Sequence, residues 1–162
     1  MMTAGRDAMK PLPMRSLDPV DSVLRMKGRE VWSIAPTATV YEAIARMSSR
    51  GVGALLVLHD GNLEGIVSER DYARKVILQD RSPRHTRVRD IMTERVIAAK
   101  PDTTVEECIR LMSDGGIRHM PILDGDRIAG VVSLGDLVNW TVTSDEETID
   151  QLEGYIEGRY PG

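Results

Sequence analysis

Residues 65–71 read GIVSERD and residues 130–136 read GVVSLGD. Each is a glycine, two apolar residues, a serine, two variable residues and an aspartate. An internal repeat changes how every other motif is read, and the two phrases stand 65 positions apart. Pairing residues 31–71 with 96–136 needs no gap. Identical residues fall at 14 of the 41 positions, namely 31, 36, 39, 40, 42, 44, 47, 48, 51, 58, 65, 67, 68 and 71. Unrelated stretches of average composition would share about two or three. The chain carries a duplication, and the reading of one copy checks the reading of the other.

Thr39-Val40-Tyr41-Glu42 and Thr104-Val105-Glu106-Glu107 are both capping-box sequences. In such a box the threonine hydroxyl and the glutamate carboxylate satisfy free amides at a helix start, so both copies are expected to begin a helix at the same place. Val40, Ile44 and Met47 return as Val105, Ile109 and Met112, the i, i+4, i+7 spacing of one buried face, with stops at Gly51 and at Gly115-Gly116. Cys108 pairs with Ala43 beside that stripe and reads as a small core residue rather than a reactive thiol. The apolar runs ALLVLH (54–59) and HMPILD (119–124) lead through Asp-Gly dipeptides into LEGIVS and RIAGVVS, a hairpin signal in each copy. Each unit therefore reads strand, helix, strand, strand, helix, with the last helix opening at Ser68 or Ser133.

At 162 residues, 41% hydrophobic and 28% charged, the chain has the composition of a soluble globular protein. A net charge of −4 argues against a nucleic-acid binder, which needs a surplus of cations to displace counterions. One cysteine excludes an internal disulfide framework and a Cys-rich zinc site, and no metal-ligand cluster is evident. No apolar run approaches the roughly 18 residues that span a bilayer, and residues 1–16 lack the apolar stretch of a secretory signal, so a cytoplasmic protein without membrane contact is expected. The domain reading is a mobile leader over 1–17, repeat 1 over 18–80, a polar linker over 81–87 and repeat 2 over 88–143. A C-terminal amphipathic helix and tail are expected over 144–162. The second repeat opens on Val88 to Met92, and a similar stretch, Val20 to Met26, precedes the first.

The chemistry of the phrase follows from where it falls. A strand that runs straight into a helix presents free amides and a partial positive charge, which suits a phosphate. The serine adds a hydroxyl at the same spot. The aspartate, one helical turn on, can accept hydrogen bonds from the two hydroxyls of a ribose. Ser-x-x-Asp is equally a helix cap that satisfies its own backbone and binds nothing, and both readings stand on the residues alone.

The paired units, their order of elements and the two Gly-apolar-apolar-Ser-x-x-Asp phrases resemble tandem cystathionine β-synthase (CBS) domains, or a Bateman module, over about residues 18 to 142. The resemblance implies a mixed α/β (α+β) fold of two pseudo-symmetric CBS repeats packed as one bacterial stand-alone module. It also implies clefts that take AMP, ADP, ATP or NAD, AMP foremost, each combining the phrase of one repeat with strand residues of the other. One set would be Ser68, Arg70 and Asp71 with Ile97, Ile117, Arg118, His119 and Met120. The second would be Ser133, Gly135 and Asp136 with Trp32, Val52, Gly53 and Ala54. The aspartates would hold ribose hydroxyls, the serines would touch phosphate or ribose, and the apolar residues would flank the base.

The residues themselves make the two sets unequal. Arg70, Arg118 and His119 offer donors to a phosphate, where the second set has Gly135, Gly53 and Ala54. Arg74 and Lys75 read as solvated. Three histidines, His59, His85 and His119, and no Gly-rich phosphate loop make an enzyme the weaker expectation. The favoured reading is a non-catalytic signal-transduction module, a homodimer acting on a regulated protein partner. A nucleotide hydrolase and a ligand-free scaffold are the alternatives.

Overall fold

Helix starts carry the repeat into three dimensions. The computed structural model describes residues 15–142. Most of the leader expected at 1–17 and the amphipathic helix expected in 144–162 lie outside the described residues. Thr39 caps α2 (Val40–Arg50) through the full box, its hydroxyl accepting from the Glu42 amide at 3.1 Å while Glu42 accepts from the Thr39 amide at 3.1 Å. Thr104 caps α4 (Val105–Gly115) by accepting from the Glu107 amide, but here the box expected from the sequence is only half made. The Glu107 carboxylate accepts from Arg110 one turn on instead. Both helices end on a left-handed glycine, Gly51 (φ 68°) and Gly116 (φ 65°). The next amide reaches back five residues, Val52 to Met47 and Ile117 to Met112, each at 3.0 Å. The buried stripe is Val40–Ala43–Met47 and Val105–Cys108–Met112. Ile44 and Ile109, expected at its centre, lie half-buried at its edge.

Each helix feeds an antiparallel hairpin. In the first copy β2 (Ala54–His59) pairs with β3 (Asn62–Ser68), and β1 (Ser33–Ile34) runs parallel to β2, giving the order β1-β2-β3. Asp60 and Gly61 turn the hairpin with φ of 51° and 81°, the paired left-handed conformation that fits a two-residue loop to the strand twist. In the second copy β4 (His119–Asp124) pairs with β5 (Arg127–Ser133), and the turn is Gly125-Asp126 with the positive φ at Gly125. The bulge falls at the same place in both, Val57/Leu58 and Ile122/Leu123.

The first strand of the second copy shrinks to one parallel bridge, Ala99 to Ile122. In the first copy the Leu56 amide donates to Trp32 O at 3.1 Å. The matching position is Pro121, which has no amide to donate, so that rung of the ladder cannot form.

The last helices also differ. α3 (Glu69–Tyr72) passes at once into a π-helical stretch, Ala73–Ile77, whereas α5 (Leu134–Val142) stays α-helical.

Two compact units result, and they do not follow the order of the repeats. One is Glu30–Val96, the first repeat with its core of Ile34, Val40, Ala43, Met47, Leu55, Val57, Val67, Val76, Val88 and Ile91. The other joins residues 15–29 to 97–142. There α1 (Val20–Lys27) buries Val20, Val23 and Leu24 among Val105, Cys108, Met112, Met120, Ile122, Val132 and Leu137. The stretch at the start of repeat 1, Val20 to Lys27, thus completes the core of repeat 2, and the stretch at the start of repeat 2, Val88 to Met92, completes the core of repeat 1.

Candidate functional site

Both Ser-x-x-Asp phrases form reciprocal caps. In the first, the Asp71 amide donates to Ser68 Oγ at 3.2 Å, and Asp71 Oδ2 accepts from the Ser68 amide at 3.0 Å and its hydroxyl at 3.2 Å. Lys75 Nζ lies 3.1 Å from Asp71 Oδ1 and donates to Ile91 O at 2.9 Å, and the Thr93 hydroxyl approaches Oδ1 at 3.4 Å. The side chain of Asp71 is 12% exposed, a carboxylate almost closed over by its own unit. In the second phrase the Asp136 amide donates to Ser133 Oγ at 3.0 Å and the Ser133 amide to Asp136 Oδ2 at 2.8 Å. Lys27 Nζ, from α1, donates to Asp136 Oδ2 at 2.7 Å and to Val131 O at 2.9 Å. Asp136 is 26% exposed, twice as open as Asp71.

The sheets bring strand residues to each phrase from the same repeat. Ala54 stands opposite Ser68 and the Glu69 amide donates to Gly53 O at 3.0 Å. His119 stands opposite Ser133 and the Leu134 amide donates to Arg118 O at 2.8 Å. Within one unit, then, Val52, Gly53 and Ala54 adjoin Ser68, Arg70 and Asp71. Within the other, Ile117, Arg118 and His119 adjoin Ser133, Gly135 and Asp136. Arg118 is exposed, and Arg70, His119, Val52, Gly53 and Ala54 are half-buried. Met120 is fully buried in the core of its unit, and Ile97 and Ile117 pack against that core. Trp32 packs half-buried on the other core, with the Arg50 guanidinium 4.3 Å from its ring centroid. A Cβ added at Gly135 would meet only Ser133 Oγ, at 3.7 Å, so no crowding demands glycine there.

Three polar residues enter the site that the sequence did not single out for it. Lys75 was expected in solvent and instead holds Asp71. Its signal was the Asp71–Lys75 spacing of four, which pairs side chains along a helix. Lys27 and Thr93 arrive from segments distant in the chain and carried no local signal. Among the described residues no group of three or more His, Cys, Asp or Glu side chains could hold a metal ion, and no helix is long and apolar enough to cross a membrane.

The chain matches the CBS domain family twice, over residues 20–77 and 88–142. It is 40% identical over 150 residues to the mitochondrial CBS domain-containing protein CBSX3 of Arabidopsis thaliana, an alignment covering 87% of this chain and 73% of that one. It superposes with a TM-score of 0.77 on a candidate signal-transduction protein with CBS domains from Burkholderia ambifaria. That match has 42% identity and covers 79% of this chain and 96% of the other. The CBS domain pair of protein MJ0100, solved with 5′-methylthioadenosine and S-adenosyl-L-methionine, shares the fold at a TM-score of 0.66 and 23% identity, over 86% of this chain and 98% of its own. The doubled fold, the two capped phrases and these matches agree: the chain belongs to the CBS-domain family, as a pair of CBS repeats.

Proposed function

We propose that the protein is a non-catalytic regulatory module that binds an adenosine-type ligand at its Ser-x-x-Asp phrases, with AMP foremost and ADP, ATP or NAD as further members of the class. The observation that carries the proposal is the arrangement common to both phrases. Each starts a helix directly from a strand, with the serine hydroxyl capping the aspartate amide, the aspartate carboxylate accepting from the serine amide, and a lysine ammonium within hydrogen-bond distance of that carboxylate. Acceptors for sugar hydroxyls and a donor for phosphate are thereby adjacent. The adenosine compounds bound by the MJ0100 pair support the same ligand class.

Asp71 and Asp136 accept the ribose hydroxyls, Ser68 and Ser133 turn to phosphate or ribose, and Arg70 and Arg118 serve the phosphate in this proposal. Because both carboxylates already cap their helices and hold a lysine, a ribose competes with those donors for Oδ2 of Asp136 and for both oxygens of Asp71. Occupancy then favours one conformational or oligomeric state, a homodimer included, which a regulated partner reads. Only a difference in ligand affinity between states can drive such a shift.

The test is a thermal-shift and calorimetric panel of AMP, ADP, ATP, NAD, S-adenosyl-methionine and 5′-methylthioadenosine, with the ligand recovered afterwards and weighed by mass spectrometry. Saturable binding with intact ligand is the expected result. Silence across the panel overturns the proposal in favour of a scaffold whose phrases are caps and nothing else, and turnover of ATP or NAD overturns it in favour of an enzyme.

A further inference from the structure

We infer that Lys27 makes the Asp136 phrase selective for phosphorylated adenosine ligands over neutral or cationic ones. The inference rests on the adenosine-binding reading above and adds a specificity-determining residue to it. The residue set expected at Asp136 from the sequence held no cation. Besides Arg118, which adjoins the phrase within its own repeat, the fold supplies Lys27 from 109 positions away, because α1 belongs to the second repeat's core. Val20, Val23 and Leu24 are fully buried, and a Cβ on Gly130 of β5 would stand 2.7 Å from Leu24 Cδ2. Lys27 lies one helical turn beyond those anchors, so its ammonium is tethered at the phrase.

That ammonium makes two bonds, one to Val131 O before the serine and one to Asp136 Oδ2 after it. Oδ2 also accepts from the Ser133 amide, a main-chain donor fixed by the start of α5. A ribose that sets its two hydroxyls on the two oxygens of Asp136 therefore displaces the lysine from Oδ2, not the amide. The displaced ammonium stays close, held through Val131 O, with its charge no longer matched by the carboxylate. A 5′-phosphate restores a counter-ion at that point. A thioether offers nothing to it, and a sulfonium repels it. At Asp71 the corresponding lysine, Lys75, comes from the same helix, and Thr93 adds a second donor on Oδ1.

The experiment follows the amides of residues 133–137 by NMR while the full chain is titrated with AMP and, separately, with 5′-methylthioadenosine at low salt. Amides 68–72 report the other phrase in the same spectra. In Lys27→Gln, which keeps the reach and loses the charge, AMP affinity at 133–137 is expected to fall about tenfold, while that of 5′-methylthioadenosine is unchanged or tighter. Lys27→Arg is expected to retain most of the AMP affinity, and circular dichroism melts of both variants check that α1 stays folded. Equal effects on the two ligands, or none on either, overturn the inference while leaving the adenosine reading intact. If neither ligand shifts any of these amides in the unsubstituted protein, the underlying reading falls and takes the inference with it.

Discussion

The two units seat their lead-in segments alike and then part company. Val20 and Asp21 donate to Thr103 O and Pro101 O at 2.7 and 3.0 Å, and Val88 and Arg89 donate to the equivalent Ala38 O and Pro36 O at 2.8 and 3.0 Å. Beyond that shared seat, α1 continues to Lys27 and stops at Gly28 (φ 109°), with Asp21 near its start pairing Arg25 and Arg29. The other lead-in makes one 3₁₀ turn, Val88–Asp90, and Thr93 then joins the edge of β3, exchanging bonds with Ile66 at 2.8 and 3.0 Å. The same seat is followed by a helix in one unit and an extra bridge in the other. One phrase therefore receives a lysine from outside its own helix, and the other receives a threonine and closes further over its carboxylate.

The glycine that opens each phrase gives the largest expected contrast. A Cβ on Gly65 would sit 2.8 Å from Thr93 O and 2.8 Å from Met92 Sδ, whereas on Gly130 its nearest neighbour is Leu24 Cδ2 at 2.7 Å. A methyl carbon can rotate aside, though Leu24 is fully buried. A carbonyl that belongs to the Ile66–Thr93 bridge can move only by breaking it. Gly65→Ala is expected to cost about 3 kcal/mol and Gly130→Ala about 1 kcal/mol, from the usual penalties of overpacking. Urea unfolding curves measure both, and equal losses would show that the bridge does not stiffen the first unit.

The helix caps come next. Thr104→Ala removes one hydroxyl acceptor and should cost about 1 kcal/mol, while Thr39→Ala breaks a reciprocal pair and should cost more. The intact box also makes the first unit acid-sensitive. The bond from the Thr39 main chain, then the bond from its side chain, hold the Glu42 carboxyl below its ordinary value against an opposing effect of desolvation, and Arg46 and Arg87 add lesser contributions in the same direction as the two bonds. A depressed carboxyl stabilises the fold above the unfolded value, so this contribution is complete above about pH 4.5 and is lost as pH falls through the lower folded value. Urea midpoints followed from pH 6 to pH 3 should fall less steeply for Glu42→Gln than for the unsubstituted chain, and an unchanged slope would mean that the box does not survive in solution.

Period, hairpins, glycine stops and the serine-led helix starts were legible because each is written within one repeat and checked by the other. What escaped depended on segments meeting across the chain. An apolar face on Val20, Val23 and Leu24 says that α1 is covered, but nothing local says by which sheet, so the arrival of Lys27 at Asp136 could not be read. HMPILD reads as a strand on its apolar content, yet the cost of Pro121 appears only when its missing amide is set against a parallel neighbour. The choice of Glu107 was likewise open. Arg46 turns to Ser33 O and leaves Glu42 to Thr39, whereas Arg110 reaches both Glu106 and Glu107 and draws the second glutamate off its cap. For the phrases themselves, the cap uses the same atoms that the proposed ligand site would use, which is why the residues alone supported both.

The smallest expected effect lies where the two cores exchange volume. Ile34 and Ala43 of the first unit stand where the second has Ala99 and Cys108, so the first position shrinks from isoleucine to alanine while the second grows from alanine to cysteine. Cys108 is fully buried, and burial first, with Glu107 second, pushes its thiol up to about 12. A thiol so placed has almost no thiolate at pH 8, so a disulfide reagent should label it only as fast as the unit opens, and labelling should accelerate in step with added urea. Cys108→Ala removes one sulfur from a core that already accommodates alanine at the matching position of its twin, and should cost no more than about 1 kcal/mol. If Ala99 is small because Cys108 is larger, then Ala99→Ile should recover part of that loss in the double variant while being unfavourable alone. Additive losses would instead mean that the two positions are filled independently and that the cores of the repeats have diverged without compensation.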